Sequence, residues 1–209
     1  MNTVIFLNGE FPSVKIVNSY LKKTDYIIAA DGGCNYLKSE NILPDIVIGD
    51  LDSAKKSSLK FFEKKNIRIL KIEDQETTDF EKCLIYCREK KLNLIKVFGA
   101  MSMRADHTMN NFSVMKRYCK KLDIKLVTEE FEIFFINKNF NFKYKKGGII
   151  SFLPLPSAKG ITTTGLKYSL KNESLEFGRR EGTLNNAISD NVSISFKNGS
   201  LLLFKKHFI

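Results

Sequence analysis

Apolar and polar positions alternate in two different rhythms along this chain. Over the first 127 residues, short apolar runs are separated by stretches with helical spacing. The runs Val4–Leu7, Tyr26–Ala30, Ile46–Ile48, Ile67–Ile72, Leu94–Phe98 and Ile124–Val127 read as strands. Between them, helices are predicted near Ser13–Lys23, Asn35–Ser39, Ala54–Lys65, Asp79–Lys90 and His107–Lys120. The fourth is the best marked. Thr78 is an N-cap with Glu81 three residues on, a capping box, and Phe80, Cys83, Leu84 and Cys87 follow helical spacing. Alternating strands and helices predict a mainly parallel, Rossmann-like sheet, with ligands bound beyond the carboxyl ends of its strands.

From residue 128 the rhythm shortens. "FEIFFIN", "FNFKYK", "GIISFLPL", "LKYSL" and "NVSISFKNGSLLLF" are β-rich runs broken by Gly, Pro and Asn. In the last, Asn198-Gly199 predicts a hairpin turn between Val192–Phe196 and Leu201–Phe204. The fold class is therefore α/β followed by an all-β sandwich. The expected domains are 1–127, α/β and carrying nucleotide and metal, and 128–209, all β.

Hydrophobic content of 43% supports a packed core, which excludes a disordered chain. The formal net charge of +11 raises nucleic acid as a partner, but the lysines are dispersed and read as solvated surface. Four cysteines without a CxxC pair and only two histidines argue against a zinc framework. "MNTVIFLNGE" has no basic start and too short an apolar run for a signal peptide, and no stretch reaches the about 18 apolar residues of a membrane span. The expectation is a cytoplasmic protein with reduced thiols, bound to neither membrane nor nucleic acid.

The chemistry lies at the predicted strand ends. "AADGG" carries Asp31, "VIGDLDS" carries Asp50 and Asp52, "DQETTDFEK" carries Asp79, and "FGAMSMRADHTMNN" carries Arg104. A parallel sheet opens all four segments onto one edge. Taken singly, Asp31 suits a turn, Asp79 a first helical turn, and Arg104 solvent. Together, several carboxylates at one edge call for Mg²⁺, which takes oxygen ligands and bridges phosphates. Arg104 then suits a phosphate. Neither GxxxxGK[ST] nor GxGxxG is present, so metal, Arg and backbone groups must hold any nucleotide.

"DGG" at 31–33, "GDLDS" at 49–53, "DQETTDFEK" at 74–82 and "RADHTMNN" at 104–111, in this order, resemble the thiamine pyrophosphokinase family. "GGIISFLPL", "TTTGLKYSL" and "GTLNN" resemble that family's β domain. The resemblance implies transfer of pyrophosphate from ATP to the thiamine hydroxyl, giving thiamine diphosphate and AMP. It implies Mg²⁺ on Asp31, Asp50, Asp52 and Asp79, which with Arg104 form the catalytic set. Nucleotide contacts are implied for Gly32, Gly33, Asn35, Ser53, Arg104, Asp106, His107 and Asn111. Thiamine contacts are implied for Gln75, Leu184 and Asn185, in a homodimer whose thiamine site lies at the subunit interface.

The chain departs from the family pattern in four places. "GAMSMR" stands where the family has Gly-Ala-Leu-Gly-Gly-Arg, Tyr36 where Arg is common, and Leu184 where Ser is common; no tryptophan is present to stack on thiamine. Two other readings of the residues are a haloacid-dehalogenase-like phosphatase using Asp50 and Asp52, and a basic nucleic-acid-binding protein.

Overall fold

The computed structural model describes residues 1–208 and divides them into two compact units, Met1–Glu129 and Glu130–Phe208.

In the first unit, β1 (Asn2–Phe6), α1 (Val14–Leu21), β2 (Tyr26–Ala30), α2 (Gly33–Ser39), β3 (Ile46–Gly49) and α3 (Lys56–Lys64) are followed by β4 (Arg68–Lys71), α4 (Asp79–Glu89), β5 (Leu94–Phe98), α5 (Ala105–Tyr118) and β6 (Asp123–Val127). All pairings are parallel, in the order β4-β3-β2-β1-β5-β6. All four residues of β3 are buried, and so are Val4–Phe6 of β1. That is why these strands read as unbroken apolar runs: helices cover both faces of a parallel sheet. The chain winds outward from β1 to β4, then returns to place β5 on the other side of β1. The order thus reverses between β1 and β5, the position where such sheets open a crevice.

Helix α4 begins at Asp79 as expected, and the other four helices begin one or two residues from their expected starts. Helix α3 begins at Lys56 instead of Ala54, because the amides of Ser53 and Ala54 donate to the Asp31 carboxylate. In α4 only half of the capping box forms. Thr78 Oγ1 accepts from the Glu81 amide at 3.3 Å, but the Glu81 carboxylate reaches Arg117 and the Tyr118 hydroxyl on α5.

The second unit contains β7 (Phe131–Phe135), β8 (Asn139–Lys143), β9 (Ile149–Thr164), β10 (Glu173–Glu176), β11 (Gly182–Asn186), β12 (Asn191–Ser195) and β13 (Asn198–Lys206), all paired antiparallel. The 16-residue β9 is shared by two sheets. Its first part carries β13, β10 and β11, and its end, Thr162–Thr164, carries β12. Phe152, Ile161, Leu175, Ile194 and Leu201 belong to the core of this unit.

The expected hairpin is not formed. β12 and β13 each pair with β9 instead of with each other, and the chain crosses between sheets at Lys197. Gly199 serves a close approach: a Cβ there would lie 2.0 Å from the Ser157 carbonyl oxygen. "LKYSL" is likewise not a strand. It is a loop anchored at Leu166, which bridges to Ala187.

Candidate active site

The cleft at the switch point has a volume of about 280 Å³. It is lined by the ends of β1 (Leu7, Asn8, Gly9), β2 (Ala30, Asp31) and β5 (Gly99), by Asp50 and Ser53, and by the starts of α4 and α5. Asp31 anchors it. The residue is 4% exposed and takes φ +42°, a left-handed conformation that Asp tolerates better than most residues. Its amide donates to the Ile48 carbonyl at 2.8 Å. Its two carboxylate oxygens accept the amides of Ser53 and Ala54, both at 3.1 Å. Asp31 therefore shapes the loop that carries Asp50.

Asp31, Asp50 and Asp79 each present a carboxylate oxygen, and these oxygens lie within 4.8 Å of one another. Burial raises the Asp79 pKa, and Asp31 and Asp50 add to the rise, while Lys82 opposes it. Lys82, on the next turn of α4, places its ammonium 3.3 Å from Asp79 and 3.5 Å from Asp50. Its side chain is 2% exposed. Three carboxylates at this spacing form a hard-oxygen set that fits Mg²⁺, an ion that completes its shell with water and phosphate oxygens. Asp52 stands outside the group. It is exposed, and its amide donates to Asp50 Oδ1 at 3.2 Å. A phosphatase chemistry that pairs Asp50 with Asp52 has no such convergence here.

Of the other expected nucleotide residues, Ser53, His107 and Asn111 line the cleft. Asn35 and Asn111 also staple loops. Asn35 donates to the Ser53 carbonyl at 3.0 Å and accepts the Lys55 amide at 2.9 Å, and Asn111 donates to the Ala100 carbonyl at 2.8 Å. Gly32 and Gly33 permit close packing: added Cβ atoms would lie 2.4 Å from Asn8 and 2.0 Å from the Phe6 oxygen. Arg104 is exposed and forks onto Asp106, with bonds of 3.2 and 2.6 Å. This pairing raises the Arg104 pKa and lowers that of Asp106. In the loop where the family has glycines, the Ser102 amide donates to Thr108 Oγ1 at 3.1 Å and Ser102 Oγ accepts the Arg104 amide at 3.0 Å. These two hydrogen bonds hold the turn.

Gln75 is exposed in the turn before α4. In the second unit, Leu184 is 79% exposed at φ +57°. A bulky apolar side chain displayed in a left-handed conformation is unusual. Asn185 beside it is buried, and both ends of its amide are bonded. It accepts the Tyr168 amide at 3.0 Å and donates to the Tyr168 carbonyl at 2.8 Å. Asn185 thereby fixes Tyr168, itself 58% exposed, with Lys167 over its ring.

Sequence reasoning missed Lys82, Asn8, Asn110 and Thr77, all of which line the cleft. It also missed Tyr168. The spacing of Lys82 three residues after Asp79 was a usable signal, since such pairs share a helix face. Asn8 carried none, because a polar residue after a strand reads as an ordinary turn.

Comparison with known proteins follows the same division. Residues 17–128 match the model "Thiamin pyrophosphokinase, catalytic domain", and residues 136–201 match "Thiamin pyrophosphokinase, vitamin B1 binding domain". The chain is 28% identical to Thiamin pyrophosphokinase 1 of Caenorhabditis elegans, over 96% of this chain and 86% of that protein. It is also 28% identical to the Thiamine pyrophosphokinase of Bacillus subtilis, over 98% and 99%. The crystal structure of the Bacillus subtilis protein superposes with a TM-score of 0.85 at 23% identity, covering 100% of both chains. That of yeast thiamin pyrophosphokinase gives 0.86 at 22%, covering 99% of this chain and 86% of the other.

Proposed function

The chain belongs to the thiamin pyrophosphokinase family and is a thiamine diphosphokinase, and from that premise we propose that it moves the terminal pyrophosphate of ATP onto the hydroxyl of thiamine, with Mg²⁺ as cofactor. The observation that carries this reading is the convergence of Asp31, Asp50 and Asp79 within 4.8 Å at the switch-point cleft.

In this reading unit Met1–Glu129 is catalytic. Asp31, Asp50 and Asp79 hold the cation, with Asp52 on the exposed side of the same loop. When bound, Mg²⁺ supplies charge neutralisation along the phosphate chain. The triphosphate lies across the cleft between the end of β1 and the start of α5, beside Ser53, His107 and Asn110. Asn35, Asn111, Gly32 and Gly33 keep the walls in place. Arg104 leaves Asp106 and forks onto phosphate oxygens, which its planar donors suit. The thiamine oxygen forms a bond to the β-phosphorus, the bond from that phosphorus to the oxygen bridging to the α-phosphate breaks, and AMP leaves. A carboxylate of the cluster accepts the hydroxyl proton. Such transfers depend mainly on alignment and electrostatic stabilisation, which a rigid sheet edge provides.

Unit Glu130–Phe208 supplies the thiamine surface. Leu184 and Tyr168 offer an apolar face for the aromatic rings, Asn185 fixes the Tyr168 backbone, and Gln75 offers an exposed amide. The working form is a homodimer with thiamine at the subunit interface, resident in the cytoplasm. Its four free thiols suit a reducing compartment.

The test is incubation with ATP, Mg²⁺ and thiamine, with products resolved by chromatography. Thiamine diphosphate and AMP in equal amounts are expected. ADP with thiamine monophosphate overturns pyrophosphoryl transfer, and light scattering at the 23.9 kDa monomer mass in a fully active sample overturns the shared site.

A further inference from the structure

We infer that Lys82 is the resident counter-charge of the Asp31–Asp50–Asp79 cluster, limiting it to one divalent cation held at moderate affinity. The inference rests on the metal reading above and adds to it a residue that sets stoichiometry and strength.

A lysine side chain only 2% exposed is rare unless its charge is answered. Here two carboxylates answer it, Asp79 at 3.3 Å and Asp50 at 3.5 Å. Both distances exceed the 2.7–2.9 Å of a strong charge-assisted bond. The ammonium is therefore shared between the two aspartates, which leaves their other lone pairs for a cation. Three carboxylates and one ammonium carry two net negative charges, which one divalent ion neutralises. Among the described residues that line the cleft, Lys82 is the one lysine or arginine. Its removal leaves a third negative charge without a resident partner.

A purely structural role for Lys82 makes the opposite forecast. If it served only to orient Asp50 and Asp79, its loss would loosen them and weaken metal binding. If it is the counter-charge, its loss strengthens binding, because a repelling cation has gone. A unit charge about 4 Å away, at the effective dielectric of a protein surface, corresponds to an affinity gain on the order of 10- to 100-fold once partial screening is allowed for.

The experiment is a Mn²⁺ titration of the full chain without nucleotide, with free ion read by electron paramagnetic resonance. Wild type, Lys82→Met, Lys82→Gln and Lys82→Arg are compared. One Mn²⁺ per wild-type chain is expected, with binding at least about 10-fold tighter in the Met and Gln variants and within about 3-fold of wild type in the Arg variant. Unchanged or weaker binding in both neutral variants overturns the inference while leaving the metal reading intact. Absence of Mn²⁺ binding in every protein overturns both. If the neutral variants melt cooperatively only with metal, the Mn²⁺ concentration that restores the transition gives the same comparison: a requirement above the wild-type dissociation constant counts against the counter-charge.

Discussion

Gly49 and Asp31 stand side by side at the ends of adjacent strands, so close that a Cβ on Gly49 would lie 2.8 Å from the Cβ of Asp31. The same Cβ would lie 3.1 Å from Asp79 Oδ1. The missing side chain at position 49 is what lets two carboxylates from different segments meet. Gly49→Ala should therefore cost about 2 kcal/mol by overpacking, lowering Tm by roughly 4–8 °C. It should also spread the cluster and weaken Mn²⁺ binding. Calorimetry and metal titration check both effects; an unshifted Tm means that Asp31 can yield without strain.

Asp79 carries a pKa raised by burial and by its neighbouring carboxylates. A raised folded pKa favours the folded state fully below the unfolded value, and that contribution is lost as pH rises through the folded value. At neutral pH the ionised Asp79 thus destabilises the metal-free protein. Asp79→Asn, in chelator, should raise Tm by a few degrees at pH 7, and the gain should vanish as pH falls below the ordinary carboxylate range. Lys82 retains Asp50 as partner in this variant. Activity should fall by at least about 100-fold, as for loss of a main electrostatic group. A Tm below wild type at pH 7 would show that pairing with Lys82 outweighs repulsion.

Glu81 ties α4 to α5 through Arg117 and Tyr118. α4 carries Asp79 and α5 carries His107, so this tie fixes the two walls of the cleft. Glu81→Ala leaves the Tyr118 hydroxyl without its partner and should cost about 1–3 kcal/mol by urea denaturation. The KM for ATP should rise severalfold while that for thiamine holds. An unchanged ATP KM would confine Glu81 to stability.

The parallel unit was legible because its strands are buried on both faces and its helices begin at recognisable residues. The carboxylates were legible for a related reason: a parallel sheet sends every strand end to one edge, so position in sequence implies position in space. The β unit was less readable. β9 serves two sheets, so the two runs flanking Asn198-Gly199 find their partners on β9, and local turn chemistry cannot report a third strand. Lys82 was hidden because a lysine in an amphipathic helix ordinarily faces water. Asn35 and Asn111 were read as ligand contacts, and their amides also close hydrogen bonds to neighbouring loops, a role that residue type alone does not report.

Leu184 is 79% exposed at φ +57°, so it contributes little to the core and carries backbone strain. Leu184→Gly removes strain of about 1–2 kcal/mol and adds chain entropy of about 0.5–1 kcal/mol to the unfolded state. Tm should stay level or rise by up to about 3 °C. If the side chain covers a thiamine ring, the KM for thiamine should rise by about 10-fold, with ATP kinetics unchanged. A thiamine KM equal to wild type removes Leu184 from the substrate surface.

Arg104 and Asp106 form a bidentate pair on the surface, with side chains 68% and 63% exposed. Exposed pairs contribute only about 0–1 kcal/mol, so the fork opens readily when a better anion arrives. A triphosphate is such an anion, and each charge-assisted contact to it is worth about 1.5–3 kcal/mol. Arg104→Met should accordingly raise the KM for ATP by about 10- to 100-fold while Tm stays within 1–2 °C of wild type. Asp106→Asn separates two roles for the acid. If Asp106 only parks the guanidinium, the variant releases Arg104 and the KM for ATP holds or falls. If Asp106 also touches the nucleotide, the KM rises as it does for Arg104→Met. The double variant distinguishes these further. Parking alone makes Asp106→Asn silent once Arg104 is gone, whereas a direct contact adds its own loss. Steady-state kinetics on the four proteins, at fixed Mg²⁺ and saturating thiamine, gives the coupling between the two side chains. An ATP KM unmoved by Arg104→Met would place the phosphate chain out of reach of this loop.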